Sequence, residues 1–82
     1  MQTPVKVYGG KTCSDCARSK AFLEQNKIPY QWFDVDQDTE ALAYIRQINN
    51  GKRIIPTIVF PDGSALFEPS DSDLARKLGI RK

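Results

Sequence analysis

The residues best equipped for chemistry are Cys13 and Cys16 in the stretch Lys11-Thr12-Cys13-Ser14-Asp15-Cys16, and the chain has no other cysteine and no histidine. A thiolate attacks a disulfide to give a mixed disulfide, and a second thiol three residues on is placed to displace that intermediate. Two blander uses compete. As a staple the pair is weak, because closing so short a loop contributes only about 2 kcal/mol. As half of a tetrahedral zinc set it lacks partners, so a closed site built of protein ligands needs two chains. Thiol–disulfide exchange is therefore the chemistry this spacing fits best, with Cys13 attacking and Cys16 resolving.

The thiolate form is favoured where a helix begins, since the first backbone N–H groups are unpaired and carry partial positive charge. Sequence patterning puts such a start at Ser14, directly after Cys13. Lys11 is positioned to stabilise a thiolate or to meet the carboxylate of a thiol co-substrate, and Thr12 borders the same sulfur. Asp15 works in the opposite sense, as a carboxylate between the two cysteines. A second constellation is Arg53-Ile54-Ile55-Pro56-Thr57. Pro56 reads either as a plain strand opener or as a cis proline that leaves the backbone of Ile55 free to pair with a peptide-like substrate, with Arg53 or Lys52 binding a carboxylate.

The elements that must hold these residues are legible from patterning. Val5-Lys6-Val7-Tyr8 reads as a strand stopped by Gly9-Gly10; Ser14 to Gln25 as a helix with Ser19, Phe22 and Leu23 inward and Arg18, Lys20 and Glu24 facing water. Asn26 and Pro29 end that helix, and Tyr30-Gln31-Trp32-Phe33-Asp34-Val35 forms the next strand. Asp36 is the expected N-cap of a second helix carrying Ala41, Leu42, Ile45 and Ile48, closed by Asn50-Gly51. Thr57 to Phe60 and Ser64 to Phe67 make a hairpin across Pro61-Asp62-Gly63, and Ser70 with Asp73 caps a last helix that buries Leu74 and Leu78 and stops at Gly79. The order is β-α-β-α-β-β-α, an α/β arrangement with a four-stranded mixed sheet and three helices. A Cys-x-x-Cys beside a βαβ pattern reads as thioredoxin-like.

Composition limits the alternatives. The 82 residues are expected to form a single domain over 1–82, and a chain this short buries only about 60–65% of its unfolded surface, leaving little room for a deep cavity. Twelve basic against ten acidic residues, scattered along the chain, argue against a nucleic-acid or membrane-binding face. No apolar stretch approaches the ~20 residues that span a bilayer. Met1 to Lys6 lacks the features of a signal peptide, so a cytoplasmic location is expected.

The chain resembles the glutaredoxin branch of the thioredoxin superfamily. The likeness runs through Val7-Tyr8 before the cysteines, Cys13-Ser14-Asp15-Cys16, Ile55-Pro56-Thr57 and the helix after Pro69-Ser70-Asp71. Asn49 to Thr57, with Asp62-Gly63-Ser64 and Pro69-Ser70, is similar to the mycoredoxin-like small redoxins. The resemblance implies the thioredoxin/glutaredoxin fold, a nucleophile at Cys13, a cis proline at Pro56, and Asp71 near where relatives hold the amino group of a thiol. It departs from the glutathione-using pattern at Ser14-Asp15, at Glu68-Pro69-Ser70 and at Gly10, which stands where a lysine is common.

The expected function is a small thiol–disulfide oxidoreductase, an electron carrier that reduces protein disulfides or mixed disulfides with a low-molecular-weight thiol of the glutathione or mycothiol type. Its catalytic residues are Cys13 and Cys16, and its substrate-facing residues Lys11, Thr12, Arg53, Ile55, Pro56 and Asp71. No tightly bound cofactor or metal is expected, a thiol or a reductase serves as electron donor, and the chain acts as a monomer. The alternative of another class is an iron–sulfur-binding or redox-inactive module of the same fold, which the small Ser14 after Cys13 keeps open.

Overall fold

The computed structural model describes residues 4–80, so the expectation for the first three residues of the N-terminal segment lies outside the described residues. Seven elements follow the expected order: β1 (Val5–Gly9), α1 (Ser14–Gln25), β2 (Tyr30–Asp34), α2 (Thr39–Gln47), β3 (Thr57–Val59), β4 (Ala65–Phe67) and α3 (Asp71–Leu78). The strands form a sheet in the order β2-β1-β3-β4. β1 pairs parallel with β2, and antiparallel with β3, which in turn pairs antiparallel with β4. The parallel pair requires a crossover, which α1 supplies, whereas β3 and β4 need only a tight turn. That turn is set by the Asp62 carboxylate, which accepts the Ser64 N–H at 2.9 Å, with Gly63 at φ +89°.

Alternation along β1 divides the core between the two faces of the sheet. Val5 and Val7 pack with Phe22 and Leu23 of α1, Ile58, Phe60, and Leu74 and Ala75 of α3. Tyr8, on the opposite face, packs with Val35, Val59, and Ala41 and Ile45 of α2. Each large apolar side chain so buried contributes about 1.5–3 kcal/mol. The layers are thus α1 and α3 on one face and α2 on the other, the thioredoxin/glutaredoxin fold.

Helix ends are fixed by their own side chains. Ser70 Oγ accepts the Asp73 N–H at 3.1 Å while Asp73 accepts the Ser70 N–H at 3.1 Å, a reciprocal cap, and Gly79 closes α3 at φ +73°. α2 differs from expectation at both ends. Its N-cap is Asp38, whose Oδ1 accepts the N–H groups of Glu40 and Ala41 at 3.1 Å each; Asp36 is instead paired with Arg53. Its C-cap is Ile48, whose position past the last turn leaves it 37% exposed rather than inward. Lys20 does not simply face water either, because its ammonium lies 4.0 Å from the Trp32 ring centroid.

Candidate active site

The site is assembled where β1 ends. Gly9 and Gly10 carry the chain from β1 into the turn that delivers Cys13, whose N–H donates to the Gly10 carbonyl at 3.3 Å. Cys13 is the N-cap of α1, extended at φ −84°, ψ 110°, so its side chain folds back over the helix start. Its Sγ accepts the Cys16 backbone N–H at 3.1 Å. Any side chain that caps a helix satisfies an otherwise unpaired donor; here the capping atom is sulfur, and the N–H pointing at it favours negative charge there.

Cys16 is in a different situation, only 1% exposed against a half-buried Cys13. Burial and donation of its S–H to Cys13 push its thiol up to about 12, with the Gly10 backbone N–H acting in the opposite direction and the negative charges on Cys13 and Asp15 adding to the rise. The cause that dominates is packing. A methyl group added to Gly9 would overlap Cys16 Sγ and lie 2.9 Å from Trp32 Cη2, so Gly9, Trp32 and α1 enclose the sulfur. Gly9 is needed for close approach rather than for unusual backbone angles, which is why a reading of Gly9-Gly10 as a mere strand breaker understates it.

The Ile55–Pro56 peptide bond is cis. The pairing of Tyr8 with Thr57 sets the preceding residues, Ile55 and Pro56, alongside Gly9 and Gly10. Ile55 Cδ1 lies 3.6 Å from where a Cβ on Gly10 would be. Pro56 is buried, and its carbonyl accepts the Glu68 N–H at 2.8 Å. The backbone groups of Ile55 make no hydrogen bond among the described residues.

The remaining expected residues are distributed around this centre, and two are not free. Lys11 and Thr12 are exposed in the turn and make no hydrogen bond or ion pair among the described residues. Arg53 Nη2 is 2.6 Å from Asp36 Oδ1. Asp71, the first residue of α3, is 3.3 Å from Arg18 Nη1, and Arg18 also donates to the Pro69 carbonyl at 3.3 Å and lies 3.6 Å from Asp15. Sequence patterning missed Gly9, Trp32, Arg18 and Asp36 as parts of the site. Only Arg18 carried a local signal, its three-residue offset from Asp15 on α1; the others meet the cysteines through tertiary packing.

Comparison with known proteins agrees with this geometry. The family model described as Glutaredoxin matches residues 5–64. A candidate glutaredoxin of Mycobacterium tuberculosis is 35% identical over 72 residues, covering 88% of this chain and 86% of that protein. Mycoredoxin 1 of Corynebacterium glutamicum is 31% identical over 74 residues, covering 90% of this chain and 91% of its own length. A crystal structure of the thioredoxin-like protein BC3987 superposes with a TM-score of 0.80 at 28% identity, covering 98% of this chain and all of that one. A Cys-x-x-Cys capping a helix beside a cis proline, the layered sheet beneath it and these likenesses together place the chain in the glutaredoxin family.

Proposed function

We propose that this chain is a dithiol oxidoreductase that reduces protein disulfides or mixed disulfides with a low-molecular-weight thiol. The observation that carries the reading is the asymmetry of the two sulfurs: Cys13 is accessible and accepts a hydrogen bond from the Cys16 N–H, whereas Cys16 is enclosed and protonated. The Cys13 thiolate attacks a substrate disulfide, the Cys13–sulfur bond forming as the substrate S–S bond breaks, and the leaving thiolate takes a proton from water. Cys16 then loses its proton and displaces the bound sulfur, giving the Cys13–Cys16 disulfide and releasing the second thiol. The substrate gains two electrons and the protein loses two; a thiol or a reductase returns them.

Lys11, Thr12 and the backbone of Ile55 form the face that a substrate meets, with Pro56 beneath it. The supply of a low-molecular-weight thiol of the glutathione or mycothiol type is consistent with the likeness to mycoredoxin 1. The chain works as a monomer in the cytoplasm on this reading; among the described residues no helix is long and apolar enough to cross a membrane.

The test uses Cys13→Ser and Cys16→Ser with glutathione- and mycothiol-type mixed disulfides, with and without thioredoxin reductase. Cys13→Ser falls to the background rate. Cys16→Ser completes the first transfer and accumulates a mixed disulfide visible by mass spectrometry. An active Cys13→Ser variant contradicts the assignment.

A further inference from the structure

Two charged side chains face the cysteine pair from opposite sides, and each already has a partner within the chain. Arg53 precedes the cis proline and is met by Asp36, from the turn after β2, at 2.6 Å. The Asp36 N–H in turn donates to Asp34 Oδ1 at 3.0 Å, which holds that turn. The pair lies over Gly10: a Cβ there would sit 2.9 Å from Asp36 Oδ2 and 3.9 Å from Arg53 Nη2. The carboxylate therefore fills the space that the glycine leaves, three residues before Cys13. Across the site, Asp71 at the start of α3 is met by Arg18 of α1 at 3.3 Å, and Arg18 is shared with Asp15, the carboxylate between the cysteines.

We propose that Asp36 and Arg18 are internal counter-ions that make this site select thiols and peptides by neutral groups rather than by charge. The inference rests on the oxidoreductase reading and names its substrate class. A substrate carboxylate can engage Arg53 only by displacing Asp36, and an ammonium can engage Asp71 only by displacing Arg18. Each exchange replaces one water-exposed ion pair by another, and exposed pairs of this kind differ little in free energy. A zwitterionic thiol thus gains almost nothing from its charges. A thiol carrying amides or hydroxyls around its cysteine loses nothing, and its amide can pair with the open backbone groups of Ile55.

The test compares two mixed disulfides of one neutral cysteine peptide, one with glutathione, which carries carboxylates and an ammonium, and one with uncharged N-acetylcysteine amide. In each, the Cys13 sulfur bonds to the thiol's sulfur and the peptide leaves as a thiolate, followed as a single turnover of the reduced full-length chain. The wild-type rate ratio, glutathione to neutral thiol, is near one and changes little between ~0.01 M and ~1 M salt, where screening removes exposed charge interactions. Asp36→Asn releases Arg53 and raises that ratio about two- to fivefold. The gain falls on the half-saturating concentration rather than on the limiting rate. It is absent in Asp36→Glu, which keeps the counter-ion, and in the Asp36→Asn, Arg53→Gln double variant, which removes the released charge. A wild-type ratio well above one that collapses with salt overturns the proposal, as does an unchanged ratio in a folded Asp36→Asn variant. Transfer from neither disulfide sinks the oxidoreductase reading and this one with it; transfer from both with an unchanged Asp36→Asn ratio sinks this one alone.

Discussion

The two sulfurs and the charges around them are held by different physics. Cys16 is fixed by packing: Gly9 leaves no space for a methyl group, Trp32 closes the adjacent side, and α1 supplies the third wall. The rim is fixed by ion pairs between half-exposed side chains, Arg53 with Asp36 and Arg18 with Asp71. Dense packing transmits a change of a single methyl group, whereas exposed ion pairs rearrange at little cost. The consequence is a division of labour: the sheet and α1 determine which sulfur reacts, and the rim adjusts what it reacts with.

That contrast can be broken most forcefully at the step that uses the buried sulfur. Cys16 attacks as a thiolate, and its thiol is pushed up to about 12, so its thiolate fraction is small at neutral pH. Below that value the fraction rises about tenfold per pH unit. Loss of the mixed disulfide at Cys13 is expected to accelerate accordingly from neutral to alkaline pH, as followed by acid quench and mass spectrometry. A rate flat with pH means that Cys16 is not held as the structure has it.

Packing itself is next. Gly9→Ala forces Cys16 and Trp32 apart and is expected to destabilise the fold by about 1–3 kcal/mol, read from the urea midpoint. Its effect on activity should fall on resolution rather than on the first attack, because Cys13 is held from α1's own first turn. A Gly9→Ala variant as stable as the parent would show that the wall around Cys16 is loose.

The smallest effect belongs to the outer cover of that wall. Lys20 lies 4.0 Å from the Trp32 ring centroid, an interaction worth about 0.5–1 kcal/mol at exposed sites. Lys20→Met keeps the apolar stem and removes the charge. It should lower stability by no more than this amount and alter the fluorescence of Trp32, the chain's single tryptophan. A larger loss would mean that the tryptophan depends on the lysine to stay against Cys16, and would move Lys20 from the rim into the packed region.

The amino-acid sequence by itself determined the elements and the reactive pair. Period-two and helical patterns, Gly79, and the Ser70–Asp73 cap are local signals, and the span of α1, Ser14–Gln25, follows from them residue for residue. The cysteine spacing is local too, since three residues along a first helical turn bring Cys16 N–H to Cys13 Sγ. Tertiary structure alone decided what surrounds the pair. Asp36 and Asp38 are both plausible caps in a sequence where acidic residues cluster; Asp38 became the cap because Arg53, seventeen residues beyond Asp36, draws Asp36 away. Ile48 has an inward helical spacing, but α2 ends before it. Arg53 and Asp71 have the chemistry of substrate anchors in isolation, and only the folded chain brings Asp36 and Arg18 against them. Local pattern reports backbone preference, which depends on near neighbours; the charge and access of a site depend on contacts between residues far apart in the chain, which pattern does not encode.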